Sequence, residues 1–167
     1  MTSLRALEIV TAPEGFERWD SLLALLNCSF AYMVDRIDPP SSMSRLDLQG
    51  LRAKALEETL IVGLVDGEPR ACAFAKVSAP ALYVGKVAVD AQLRGLGVAR
   101  RLFAAAEALA RADRLDYLEL QTRVELVENH HTFAALGFEK CGESAHAGYH
   151  RATSITMRKR VLPWPSP

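Results

Sequence analysis

The chain has 167 residues, half of them hydrophobic and 24% charged, with 20 Lys and Arg against 20 Asp and Glu. That length suits one domain around one substantial core, and the balanced charge argues against nucleic acid as a partner, because phosphate binding needs an excess of basic residues on one face. The three cysteines, Cys28, Cys72 and Cys141, are odd in number and lack a CxxC spacing, so neither a disulfide framework nor a zinc site is expected.

Met1 to Val10 has no long apolar core and no later run approaches a membrane span, so the expectation is a cytoplasmic protein with no membrane partner. Leu7 to Thr11 reads as a short strand, and Pro13 to about Ala31 as a helix whose Phe16, Trp19, Leu22, Leu23 and Leu26 recur at helical spacing. Arg36 to Ser42 contains Pro39 and Pro40 and cannot stay helical. It serves either as a substrate-contacting loop or as a connection built on turn chemistry, before a second helix over roughly Asp47 to Glu58.

Leu60 to Val65, Asp66-Gly67 and Arg70 to Val77 predict a hairpin, and Ala81 to Val89 a further strand. Gly97 to Ala112 is the most regular amphipathic helix, with Leu102, Phe103, Ala106 and Leu109 as its buried stripe. Leu115 to Thr122 then reads as a strand, and Asn129 to Leu136 as a short helix stopped by Gly137. Phe138 begins a last pair of strands through about Cys141 and Ser154 to Arg160, and the proline-rich tail from Leu162 to Pro167 is expected to fray or lie extended. The order is β α α β β β α β α β β, without repeat or linker.

The informative stretch is Val87-Ala88-Val89-Asp90-Ala91-Gln92-Leu93-Arg94-Gly95-Leu96-Gly97-Val98-Ala99-Arg100. A strand ends, a glycine-rich turn follows and a long helix begins, so backbone amides at the helix start can approach an anion without a Cβ in the way. Glycines in a strand-to-helix turn are also common for conformational reasons alone. Neither a dinucleotide fingerprint nor a P-loop fits, since Arg100 stands where the first wants a small residue and Gly-Lys-Ser/Thr is missing.

Arg94-x-x-Gly97-x-Ala99 resembles the acetyl-CoA signature of the GNAT family of N-acetyltransferases, and Val87-Ala88-Val89 is similar to that family's fourth strand. Asn129, Phe133, Gly137 and Phe138 extend the resemblance, which covers about residues 60 to 160. It implies a mixed α/β fold: a central, mostly antiparallel sheet of six or seven strands, splayed between the fourth and fifth and flanked by helices. It also implies acetyl-CoA as co-substrate, with the Val87, Ala88 and Val89 backbone along the pantetheine. Arg94, Gly95, Leu96, Gly97, Val98, Ala99 and Arg100 would cradle the pyrophosphate, and Asn129 and Phe133 would also lie against the cofactor.

An acceptor amine is protonated at neutral pH and needs a base, and the departing thiolate is helped by an acid. The family often places a tyrosine for the second task where this chain has Phe133. His130, Tyr149 and Glu125 are therefore the catalytic candidates, and Arg36, Lys86 and Arg123 the candidates for holding an acceptor that also carries an anionic group. His131, His146 and His150 complete the histidines of this stretch, most of which are expected to be surface or hydrogen-bonded residues. Their spacing matches no metal-ligand pattern, so no metal is expected. Strand alternation predicts that one of Lys86 and Val87 is buried. The expected activity is acetyl transfer to a primary amine of a small molecule by direct attack in a ternary complex. A non-catalytic acyl-CoA sensor and an acetyltransferase acting on protein N-termini or lysines are the alternatives, and for oligomeric state a homodimer is one option.

Overall fold

A computed structural model describes residues 6–163. Trp164 to Pro167, the end of the segment expected to fray, lies outside the described residues. The strands are β1 (Glu8–Thr11), β2 (Thr59–Val65), β3 (Glu68–Ser78), β4 (Ala81–Val89), β5 (Tyr117–Arg123), β6 (Glu139–Ser144) and β7 (Ser154–Arg160). The α-helices are α1 (Trp19–Phe30), α2 (Leu48–Glu57), α3 (Val98–Ala112) and α4 (Val127–Ala135), and their order along the chain is the one the sequence predicts.

Where the boundaries move, local chemistry gives the reason. α1 starts at Trp19 rather than Pro13, because Ala12 and Gly15 both adopt positive φ (49° and 63°) and interrupt any helix there. Phe16 is used instead to meet Trp19 edge-on at 4.9 Å. α2 begins where Asp47 accepts from the Gly50 amide at 2.8 Å, which satisfies one of the free donors of its first turn. The β2–β3 hairpin closes with positive φ at both Asp66 and Gly67 (51° and 78°), the backbone that two-residue hairpins demand.

The seven strands form one sheet in the order β1-β2-β3-β4-β5-β7-β6. Every neighbouring pair is antiparallel except β4 and β5, which are parallel. Side chains alternate across it into two cores. Ile61, Ala73, Val84 and Leu118 join α3 through Leu102, Phe103 and Ala106 on one face, with Phe133 of α4 and Leu136 just after it packed at the same side. Leu60, Val62, Cys72 and Phe74 join α1 through Leu22 and Leu26, and α2 through Leu51, on the other. Phe74 and Phe138 are fully buried, one in each core, and truncation of either to Ala would cost about 3–5 kcal/mol.

Two irregularities prepare the site. β4 and β5 pair only at Ala81↔Tyr117, Leu82↔Leu118 and Tyr83↔Glu119. Beyond these, β4 continues on β3 and β5 continues on β7, so the strands part and leave an edge of each without a partner strand. The second is a bulge: Cys72 pairs with Ala88 and Phe74 with Gly85, which sets Lys86 and Val87 together against Ala73 alone. Lys86 takes φ 51°, so simple alternation fails there, and both Lys86 and Val87 are half-buried rather than one in and one out.

Candidate active site

The end of β4 is anchored before the glycine turn begins. The Asp90 amide donates to the Arg70 carbonyl (2.8 Å), its carboxylate accepts from Arg70 Nη1 (2.9 Å), and its other oxygen accepts from the Gln92 amide (2.9 Å). Gly95 and Gly97 follow with φ 75° and 79°, and a Cβ placed on either would meet nothing within 4 Å. The glycines are there for their backbone angle, and the space above them is open to a guest.

Gly97 is the N-cap of α3 and offers no side chain, and the first hydrogen bond of the helix runs from the Arg101 amide to the Gly97 carbonyl (3.2 Å). Among the described residues no acceptor is found for the amides of Val98, Ala99 and Arg100, which sit at the positive end of a 15-residue helix. Val98 is buried and pins the turn to the core, Ala99 is half-buried, and Arg94, Leu96 and Arg100 are exposed around the opening. Arg94 folds back so that its Nε lies 3.4 Å from the Val89 carbonyl. Along the free edge of β4, Val87 and Val89 pack toward α3 and Ala88 is buried toward α1, so the backbone is what this edge presents to the splay.

The opposite bank is built from side chains. Arg123, at the end of β5, is 9% exposed and donates through Nη2 to the Pro39 carbonyl, while Nη1 lies 3.5 Å from His146 Nε2. Tyr149 donates to Asp38 Oδ1, and Arg151 bridges to Asp38 Oδ2 (3.3 Å) and to Glu125 Oε1 (3.7 Å). These contacts tie the 31–41 segment, as a strap, onto the β6–β7 loop. Arg36 pairs with Glu128 at 2.5 Å, which raises the guanidinium's pKa and lowers that of the carboxyl, and Asn129 Nδ2 donates to the Tyr32 hydroxyl at 2.9 Å. The Asp38 carboxylate, as hydrogen-bond acceptor, holds the Tyr149 phenol above its ordinary pKa. His130 Nε2 lies 2.9 Å from the Arg123 carbonyl.

The structure thus brings His130, Tyr149, Glu125 and Arg123 to one end of β5, but it gives Arg36, Lys86 and Arg123 separate partners. Lys86 Nζ reaches the Ser42 hydroxyl at 2.9 Å, on the α1–α2 face of the sheet. Asn129 is directed to the strap through Tyr32. Phe133 meets Phe103 and Phe138 edge-on, each at 6.2 Å between centroids, which bolts α4 to α3.

An acetyltransferase (GNAT) family model matches residues 19–138, from the first residue of α1 through the aromatic trio. The chain belongs to the GNAT family. No curated protein matches it significantly in sequence. Among solved structures, PaiA N-acetyltransferase from Thermoplasma acidophilum in complex with coenzyme A superposes with a TM-score of 0.72 at 10% identity, covering 92% of this chain and 99% of that one. A GNAT acetyltransferase from Staphylococcus aureus gives 0.71 at 11% identity, covering 94% and 100%. Nourseothricin acetyltransferase gives 0.57 at 22% identity, covering 64% of this chain and 66% of that one. At these identities the structures share the fold.

For a GNAT member, the fit to a CoA co-substrate rests on three features already described. The amides before and within the first turn of α3 are free, the glycines leave the approach open, and the β4 edge has unpaired backbone that an extended, amide-containing chain can use as a neighbouring strand would. Of two cavities, the first borders that path through Asp90, Ala91, Gln92 and Arg94, and the second lies apart from it. The first, about 1120 Å³, runs between α1 and the β2–β3 turn past Cys28, Arg70 and Gln92, and the second, about 300 Å³, lies between the end of α1 and the strap near Phe30, Ile37 and Met43. Neither is lined by Val84 to Val89 or by β5.

Sequence reasoning missed one cluster on this face. Lys54 and Glu58, at the end of α2, form a largely buried pair (2.5 Å), and their charges act on Lys86 and Tyr83 of β4. Burial first, then the neighbouring Lys54, lowers the Lys86 ammonium's pKa. Nothing in the spacing of residues 54, 58, 83 and 86 reveals this. It arises because α2 leads directly into β2 and returns its last turn over β3 and β4.

Proposed function

We propose that the chain transfers an acetyl group from acetyl-CoA to the primary amine of a small molecule, with both substrates bound at once. The observation that carries this reading is the parting of β4 from β5 directly beside a glycine turn whose helix-start amides are unpaired. When bound there, acetyl-CoA supplies the activated acyl group as a thioester. Backbone donors of Val87 and Val89 hold the extended arm and the thioester oxygen, and those of Gly97 to Arg100 hold the pyrophosphate. Such donors are preorganised, so they stabilise developing negative charge without rearranging.

The acceptor enters from the α1–α2 face, and the strap favours a small one. Arg123 to Pro39, Tyr149 to Asp38 and Arg151 to both Asp38 and Glu125 close the 31–41 segment onto the β6–β7 loop, which narrows the approach beside β5. Glu125 keeps one carboxylate oxygen, Oε2, buried and without a partner among the described residues, which supports assigning it the proton of an arriving ammonium. His130 and Tyr149 already use polar atoms on Arg123 and Asp38, and they serve to hold the rim in place.

The reading is tested by titrating acetyl-CoA calorimetrically and then following thiol release with a panel of alkyl amines, amino acids, polyamines and a short peptide with a free N-terminus. The exposed Cys28 and Cys141 react with thiol reagents and require a protein blank. Turnover above blank with one or more of the small amines, and none with the peptide, is expected. Tight acetyl-CoA binding with no turnover on any member would favour a sensor, and turnover confined to the peptide would favour a protein substrate.

A further inference from the structure

The floor of the splay holds a hydroxyl that neither the glycine turn nor the strap requires. Tyr83 is the last β4 residue that pairs with β5, opposite Glu119. Its neighbours Leu82 and Val84 face the α3 core, so Tyr83 faces the α1–α2 side. The next residue on that side is Gly85, where an added Cβ would stand 3.3 Å from Tyr83 Cε1. The ring therefore leans along β4 over Gly85, toward the open end of the splay and the bulge at Lys86 and Val87.

From the other bank the backbone N–H of Gln121, two residues past the last β4–β5 pair, acts on the phenol and lowers its pKa against the larger effect of burial. Tyr83 thus stands at the point where the strands part. The charged groups around it are Glu119, held by Arg158 at 2.7 Å, and Glu58, held by Lys54, with Lys86 on the same face bonded to Ser42. Burial, then the two carboxylates, keep the phenol protonated above the usual tyrosine range. Among the described residues no acceptor is found for the phenol hydrogen.

We propose that Tyr83 relays the proton that acetyl transfer must deliver to the leaving sulfur, the task for which Phe133 has no hydroxyl. This rests on the acetyltransferase reading above. As the amine nitrogen bonds to the acyl carbon and the carbon–sulfur bond breaks, Tyr83 Oη receives a proton from the nitrogen and gives its own hydrogen to the sulfur. The products are the amide and the free thiol, and Tyr83 ends neutral, as it began. Because no free tyrosinate is formed, the raised pKa of the phenol does not oppose the step.

The test is the ionisation of CoA bound to the parent and to Tyr83→Phe, read from thiolate absorbance in difference spectra against CoA-free protein across pH. Loss of a hydrogen bond to a charged group should raise the apparent pKa of the bound thiol by about one unit in Tyr83→Phe. CoA affinity should stay within about threefold and kcat on an amine the parent accepts should fall on the order of 100-fold. The melting temperature confirms that the variant is folded. Equal thiol titration in the two proteins, or unchanged kcat, would overturn the proposal, as would a thiol shift produced by Tyr149→Phe and absent from Tyr83→Phe. If the parent binds no CoA, the acetyltransferase reading fails first and the relay with it.

Discussion

The two banks of the β4–β5 splay are made of different materials. On the turn side, from Val87 to Arg100, the working groups are backbone amides exposed by a broken strand pairing and by two glycines at positive φ. On the strap side they are side chains: Arg123, Glu125, Tyr149 and Arg151 closing on Asp38 and Pro39 across more than eighty residues of chain. Backbone recognition suits a co-substrate that every member of the family shares, because it tolerates change in the side chains around it. Side-chain recognition suits an acceptor that differs between members, because single substitutions re-aim it. The comparison predicts that damage to the first bank abolishes cofactor binding, whereas damage to the second alters stability and acceptor choice and leaves CoA affinity alone.

The largest expected effect comes from Gly97→Glu. It forces a side chain into left-handed backbone and sets a negative charge at the helix start, so CoA affinity should drop more than about 100-fold while the fold persists. A variant that stays folded and binds as tightly as the parent would break the comparison at its stronger side.

Arg123→Ala is the matching lesion on the other bank. It removes a charged donor from the Pro39 carbonyl in a buried setting, at a cost of about 2 kcal/mol, or roughly 4–8 °C in Tm for a chain of this length. Calorimetry should show CoA binding within about twofold of the parent. A large loss of CoA affinity would mean that the banks are not separate.

The smallest effect concerns Lys86, at the β4 bulge beside the first bank. Its folded pKa lies below its unfolded value, so between those two values the unfolded chain binds more protons and stability must rise with pH through that window. Relative to Lys86→Met, the parent should gain stability in urea melts as pH climbs toward about 10.5, the unfolded lysine value. An opposite slope would show that the Glu58 carboxylate, rather than burial, dominates this ammonium.

The same division explains what the sequence could tell. Element order, the Asp66-Gly67 hairpin and the Gly95–Gly97 turn follow from local rules, because each depends on residues adjacent in the chain. The apolar stripe at helical spacing runs back to Phe16 and so extends α1 too far, because positive φ at Ala12 and Gly15 is not encoded in that stripe. Alternation misplaced Lys86 because a bulge is a property of the strand pair, visible only once Ala73 is seen opposite two residues. Tyr83 is hidden in the sequence for a related reason. It is an ordinary strand tyrosine until β5 is known to lie beside β4 and to leave it one residue later. The contacts of Arg36, Asn129 and Arg123 are long-range, and a list of polar residues near α4 could name them without saying which ones pair.

If the free amides of the turn and of the β4 edge hold the co-substrate, backbone amide NMR shifts on addition of CoA will report it. The account predicts that the resonances of Gly95, Gly97, Val98, Ala99 and Arg100 move most, followed by those of Val87 and Val89, while amides lining the groove near Phe30, Ile37 and Met43 stay in place. Shifts centred on that groove, or none at Gly95 to Arg100 under saturating CoA, would contradict it.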